Sequence, residues 1–180
     1  LIPLTLTVSP ASRRVAYVVL PGDDRQAVVV DGVRESAYDK VGIPTFSPDG
    51  RTVAYAALRR GKWVVVLDGR EGTEHDFIGG YAPVFSPDSA RLAYGVRRGT
   101  GWLVVVDGVE GKQFDEVRTP VFSPDSRSVA YVARHGDSWV VVVDGAEGRE
   151  YKGIREYSLV FSAGRKRIAY VADRARGQTV

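Results

Sequence analysis

Apolar residues along this chain come in short runs closed by polar, glycine- or proline-bearing segments. The longest uninterrupted runs, such as Val15 to Leu20, have about six residues. Runs of that length suit β-strands. Two kinds alternate. In the first, typified by Val53-Ala54-Tyr55-Ala56, large residues alternate with small ones. This predicts a strand with both faces buried, one of them at close approach. In the second, Trp139 to Val143, five apolar residues follow one another, which marks a strand covered on both faces. A Gly-containing, Arg-rich turn separates the two. An Asp-Gly pair follows the second and supplies a hairpin turn, since both central positions of a type I′ turn need φ > 0. A polar strand with one aromatic comes next, carrying Tyr38, Phe114 or Tyr151. A shorter strand, such as Ala82 to Phe85, opens the series and ends in Ser-Pro-Asp, whose Ser and Pro fit the first two positions of a type I turn. No window has a helical period, so almost no helix is expected.

The series is a repeat. Phe46-Ser47-Pro48-Asp49 returns as Phe85-Ser86-Pro87-Asp88 and Phe122-Ser123-Pro124-Asp125, with weaker copies at Val8-Ser9-Pro10-Ala11 and Phe161-Ser162-Ala163-Gly164. An Ala-Tyr pair follows each copy, its tyrosine at Tyr17, Tyr55, Tyr94, Tyr131 and Tyr170, so the spacings are 38, 39, 37 and 39 residues. Asp-Gly pairs fall at Asp31, Asp68, Asp107 and Asp144, and Trp63, Trp102 and Trp139 each lie eight residues after the tyrosine. A four-stranded antiparallel meander recurring at this period is the unit of a β-propeller. Face-to-face blades explain why the inner strands are apolar on both sides and the outermost is not. The expected fold is therefore all-β, with about four and a half blades: residues 4–42, 43–80, 81–118, 119–156 and a partial 157–180. The first residues offer no spare outer strands to complete the last blade. The chain is accordingly expected to be part of a larger propeller, or a five-bladed ring with an incomplete last blade, or to self-associate through that blade's open edge.

The pattern Phe-Ser-Pro-Asp-x-x-x-(Val/Leu)-Ala-Tyr followed by Trp-(Val/Leu)-Val-Val-x-Asp-Gly resembles the WD-like propeller repeat of TolB-type proteins, over nearly the whole chain. The end copies depart from it: the first lacks the Trp, and Ser162-Ala163-Gly164 lacks both Pro and Asp. The resemblance implies a protein-interaction propeller in a periplasmic or other extracytoplasmic setting. Similar blades occur beside the hydrolase domain of prolyl-oligopeptidase-type peptidases, so a non-catalytic domain of such a peptidase is a second reading, and a glycan-binding propeller a third.

Composition narrows the chemistry. With no cysteine, thiolate catalysis and cysteine metal sites are excluded. The absence of methionine suggests a processed, trimmed or partial chain. No secretory signal is visible, and no run approaches the length of a membrane-spanning helix. Lys and Arg number 25 against 22 Asp and Glu, a near balance that does not point to nucleic acid. No nucleotide-binding glycine motif is present, and no cofactor is expected. The two histidines read as structural: His75 stands where other copies carry Tyr38, Phe114 and Tyr151, and His135 lies in a turn. Ser47, Ser86 and Ser123, with Asp49, Asp88 and Asp125, recur in most copies and so read as turn formers, whereas catalytic residues would be unique. No metal site is expected, and the chain is read as non-enzymatic.

One surface feature remains. Turns alternate between the two ends of a meander, so those after each second strand share a face. They carry Arg59, Arg60, Lys62, Arg97, Arg98, Arg134, Arg174 and Arg176. A basic arc of this kind could steer a protein partner, an anionic surface or a glycan.

Overall fold

A computed structural model of the chain describes residues 5–10, 13–22, 24–79, 82–163 and 167–173. These residues contain β-strands and no helix. The first blade is an antiparallel sheet of β1 (Thr5–Val8), β2 (Val15–Gly22), β3 (Arg25–Val30) and β4 (Val33–Tyr38), in that order. The second, third and fourth blades repeat it around long central hairpins: Val53–Arg59 with Lys62–Leu67, Leu92–Arg98 with Gly101–Val106, and Val129–His135 with Ser138–Val143. Their innermost strand is split in two. In the third blade Phe77–Ile78 and Val84–Phe85 both pair with Leu92–Arg98. Each blade therefore starts earlier than the Phe-Ser-Pro-Asp phrase implies, at Lys40 in the second. In the fifth repeat Gly153–Ile154 pairs with Ala172–Asp173, and Val160–Phe161 with Ile168–Ala169.

The turns form for the reasons read from their residues. Asp31, Asp68, Asp107 and Asp144 have φ of 51°, 45°, 52° and 49°, and the glycine after each is also positive, as a I′ turn requires. Each of these aspartates also accepts a backbone N–H from the start of its blade's second strand through Oδ1: Val15 at 2.9 Å, Val53 at 2.9 Å, Leu92 at 2.9 Å and Val129 at 2.8 Å.

The core lies between blades. Ala16, Val18, Val28 and Val30 of the first blade meet Val53, Tyr55, Val64 and Val66 of the second. The opposite face of the second blade, with Ala56, Trp63 and Val65, meets Ile78, Tyr94, Val96 and Val105 of the third. The third meets the fourth around Phe114 and Tyr131, and the fourth meets the fifth around Val132, Val141 and Ile154. The large–small alternation works as its period dictates: Tyr55 faces the preceding blade, while Ala56 lets the next approach.

Candidate functional site

Three sets of side chains decide what the blades can do. The first set closes the turns. In the Ser-Pro-Asp phrases, Ser47, Ser86 and Ser123 are fully buried or nearly so. Each donates its hydroxyl to the aspartate two residues on, at 2.6 Å in all three copies. Each also accepts the N–H of the residue five positions on: Thr52 at 3.0 Å, Arg91 at 2.9 Å and Ser128 at 2.9 Å. The serine hydroxyl, aided by a backbone N–H, holds the carboxyls of Asp49 and Asp88 below the usual range. The turns also tie blade to blade. Ser89 and Ser126 sit at φ of 67° and 65°. From there they accept the N–H of Asp49 at 3.0 Å and of Asp88 at 2.9 Å in the preceding blade.

The second set forms the joints between blades. The outer-strand aromatic of each blade meets the second-strand tyrosine of the next edge to face, with centroids 6.3 Å apart for Tyr38–Tyr55, 6.2 Å for Phe114–Tyr131 and 5.6 Å for Tyr151–Tyr170. Tyr38 donates to Glu71 at 2.9 Å, and Tyr55 to Glu35 at 2.5 Å. Burial, then the Glu71 hydrogen bond, pushes the Tyr38 phenol up to about 12. His75 takes the aromatic's place in the joint between the second and third blades, 6.1 Å from Tyr94. It is only 4% exposed, and neither ring nitrogen has a hydrogen-bond partner. Its Nδ1 lies 3.9 Å from Glu110, whose carboxylate is held by Arg98 at 2.6 Å.

Burial pulls the His75 pKa below the ordinary 6.5, against the nearby Glu110 and Asp76 and with the help of Arg98. Because the folded value is depressed, the unfolded chain takes up the proton first as pH falls. The stability tied to neutral His75 is fully present above pH 6.5 and is lost as pH falls from there through the folded pKa. His75→Phe, the arrangement of Phe114, is expected to flatten the slope of Tm against pH below 6.5 relative to the wild type. Parallel profiles for the two proteins would show that His75 does not titrate on unfolding.

The third set lines one end of the blades. Arg59, Arg60, Lys62, Arg97, Arg98 and Arg134 all lie in or beside the hairpins after the second strands. Arg174 and Arg176 lie outside the described residues. Carboxylates interleave with this arc. Arg59 pairs with Glu71 at 2.8 Å and Glu74 at 3.5 Å, Lys62 with Asp76 at 2.6 Å, Arg98 with Glu110 at 2.6 Å and Arg134 with Glu116 at 3.4 Å. Arg97 stacks 5.8 Å from the centroid of Phe77. Asp39, Asp76 and Asp115 cap the hairpins themselves, accepting the N–H groups of Arg60 at 2.9 Å, Gly99 at 2.8 Å and Gly136 at 2.6 Å. These aspartates were not singled out in the sequence, although each directly follows the outer-strand aromatic position.

At the inner strands the repeat breaks. Five positions separate Val41 from Phe46 and Val117 from Phe122, but seven separate Ile78 from Phe85 and Ile154 from Phe161. The longer inner segment of the fifth repeat carries Tyr157, at φ 59° and 89% exposed. Holding a non-glycine residue in the left-handed region costs about 1–2 kcal/mol. Beside Tyr157 opens a cleft of about 590 Å³ between the third and fourth blades, lined also by Gly79, Trp102, Glu116, Arg118 and Arg134. Gly79 is needed there, because a Cβ would stand 2.8 Å from the Trp102 ring. Arg118 lies 4.2 Å from the Trp139 ring centroid, on the fourth blade. The unequal segment lengths were the sequence signal for this cleft, and counting repeats by their tyrosines alone passes over it.

Among the described residues, no cluster of His, Asp and Glu is arranged to hold a metal. No protein-family model matches the chain, and no curated protein matches it. Solved structures do. TolB from Acinetobacter baumannii is 19% identical, with a TM-score of 0.56 over 92% of this chain and 47% of that one. The β-propeller domain of the Trilobed protease from Pyrococcus furiosus is 16% identical, with a TM-score of 0.55 over 87% of this chain and 59% of that one. A eukaryotic initiation factor is 13% identical, with a TM-score of 0.63 over 91% of this chain and 46% of that one. The chain thus spans less than two thirds of each. Identities at this level speak for fold alone, and the fold they share with this chain is a TolB-like β-propeller.

Proposed function

We propose that this chain is a non-catalytic propeller that binds a protein partner at the cleft beside Tyr157. The observation that carries the reading is Tyr157 itself, a large aromatic left 89% exposed in a strained backbone within one of the two longer inner segments. Strain and exposure together are features that folding alone would not keep. Trp102, Arg118 and Arg134 beside it are of the residue types that anchor protein interfaces. The arc edges this cleft through Arg134, but the carboxylates interleaved with it leave a mixed-charge rim, so its steering of an acidic partner is weak and confined to low salt. The recurrent Ser and Asp residues, by contrast, are spent on turns. An extracytoplasmic site of action accompanies the TolB-like reading.

The test is affinity capture with wild-type chain and Tyr157→Ala in parallel, with circular dichroism confirming that both are folded. A protein retained by the wild type is expected to fall about tenfold or more with the variant, as removal of an interface aromatic anchor does. Equal retention would remove the cleft from the interface. A second reading, a non-catalytic domain of a larger serine peptidase, is favoured by the likeness to the Trilobed protease propeller. A Gly-x-Ser-x-Gly elbow encoded in the same gene would favour it.

A further inference from the structure

The joints between consecutive blades are not equivalent, and the difference follows one position. The residue just before the second strand is Arg14 in the first blade, Thr52 in the second, Arg91 in the third and Ser128 in the fourth. Arg14 and Arg91 do the same work. Each donates Nε to the Asp-Gly aspartate of its own blade, Asp31 at 2.7 Å and Asp107 at 2.8 Å. Each reaches across to two consecutive carbonyls in the next blade's Ser-Pro-Asp turn. For Arg14 these are Gly50, at 3.4 Å, and Arg51; for Arg91 they are Ser126 at 3.1 Å and Arg127 at 2.8 Å. Each also lies over the phenylalanine that opens that turn, 5.5 Å from Phe46 and 5.4 Å from Phe122. A carboxylate, two carbonyls and an aromatic face thus enclose a planar, forked cation.

All four receptor groups are present again between the second and third blades, where Thr52 supplies no guanidinium. Asp68 gives Oδ1 to the Val53 N–H, as its counterparts do to theirs, and no cation pairs with its carboxylate among the described residues. The carbonyl-bearing residues are Ser89 and Ala90, and the ring is Phe85. All four line one cavity of about 560 Å³, with Thr52 on its wall. The corresponding turn of the fifth repeat falls partly outside the described residues.

We infer that this joint is a binding site for a guanidinium group brought from outside the chain. It is the receptor of two internal clamps with the clamp left out. Its ligand is a guanidinium-bearing small molecule or the arginine side chain of a protein. Lysine, a compact point charge, does not match two carbonyls and a carboxylate set around a ring face. The site shares only Tyr94 with the lining of the cleft beside Tyr157 and does not rest on the function proposed for that cleft.

The test is a titration of the isotope-labelled chain, followed by amide chemical shifts, with N-acetyl-arginine amide and N-acetyl-lysine amide. Saturating shifts at Asp68, Phe85, Ser89 and Ala90 are expected with the arginine amide, and binding of the lysine amide about tenfold weaker or absent. Thr52→Arg restores the internal clamp and is expected to abolish binding. Asp68→Asn, which keeps the shape of the turn, is expected to weaken it about tenfold or more. Arg70 stands at the rim of the cavity, and Arg70→Ala is expected to leave binding intact or tighten it. The source is separated by a Gly-Ser octapeptide with one central arginine: equal affinity for peptide and amide indicates a protein side chain, and loss of affinity in the peptide indicates a small molecule. Absence of shifts at Phe85, equal binding of the lysine amide, binding unchanged in Thr52→Arg, or binding lost in Arg70→Ala would each overturn the assignment.

Discussion

Tyr55→Ala is expected to lower the unfolding free energy by about 3–5 kcal/mol, the range for deleting a large aromatic from a packed interior. Tyr55 is 0% exposed and is the pivot of the joint between the first two blades. Its ring meets Tyr38 edge to face at 6.3 Å, and its hydroxyl reaches Glu35 at 2.5 Å. Deletion leaves a cavity between two sheets that cannot collapse without breaking the hydrogen bonds at the joint's edges. Tyr55→Phe removes only the hydroxyl and is expected to cost about 1 kcal/mol. Among the described residues the main apolar clusters each join neighbouring blades, so the damage should be local. Hydrogen exchange is expected to quicken first in Val33–Tyr38 and Val53–Arg59, while the fourth blade stays protected. A loss below about 1 kcal/mol for the alanine variant would mean that the joint is not a principal source of stability. The joint also sets an alkaline limit. The folded Tyr38 phenol is raised from 10.0 to about 12, so its contribution is present below pH 10 and is lost as pH rises from 10 towards 12.

Ser86→Ala is expected to cost about 1–2 kcal/mol, because it removes two hydrogen bonds of a buried hydroxyl and strands a half-buried backbone donor. The hydroxyl is fully buried, donates to Asp88 at 2.6 Å and accepts from the Arg91 N–H at 2.9 Å. Alanine fits the space but leaves the Arg91 amide without its acceptor at the point where the second strand begins. Ser123→Ala repeats the experiment one blade on, where Ser123 donates to Asp125 at 2.6 Å. The two losses, read from urea midpoints, are expected to depart from a simple sum in the double variant, since the turns are joined: the Asp88 N–H donates to Ser126 Oγ at 2.9 Å and Arg91 reaches the Ser126 and Arg127 carbonyls. A negligible loss at both sites would leave the repetition of the Ser-Pro-Asp phrase without its structural explanation.

Joints of one design differ in strength along the chain. Between the first and second blades, the arginine clamp and two tyrosine–glutamate hydrogen bonds act together. Between the third and fourth, the clamp remains, Phe114 makes no such bond, and Lys112 pairs instead with Glu147 across the joint. Between the second and third, the clamp is absent and His75 is buried without a hydrogen-bond partner. That joint is therefore the one whose stability depends on acid and, if its cavity takes a guanidinium, on ligand.

The repeat period, the strand types and both hairpin signals were legible in the residues because each is local. Asp-Gly demands a I′ turn wherever it falls between apolar runs, and the alternation of Tyr55 with Ala54 and Ala56 is a period-two signal that no distant contact can shift. The turn-forming role of the recurrent serines and aspartates was likewise legible, since their recurrence ties them to the blade. What adjacent blades do to one another was not. Arg91 reads in the sequence as one surface charge among many. Only the structure shows it crossing to Ser126 and Arg127, whose carbonyls lie 35 and 36 positions away. Arg59, Lys62, Arg98 and Arg134 read as a positive arc, and only the structure places Glu71, Asp76, Glu110 and Glu116 within pairing distance of them. By itself the sequence determined the blade, because blade geometry follows from short-range backbone and side-chain preferences. The empty receptor at Asp68 was decided by tertiary structure, as was the cleft beside Tyr157 beyond the lengthened inner segment that marks it in the sequence, because both are made of groups from different blades whose relative position depends on how sheets stack.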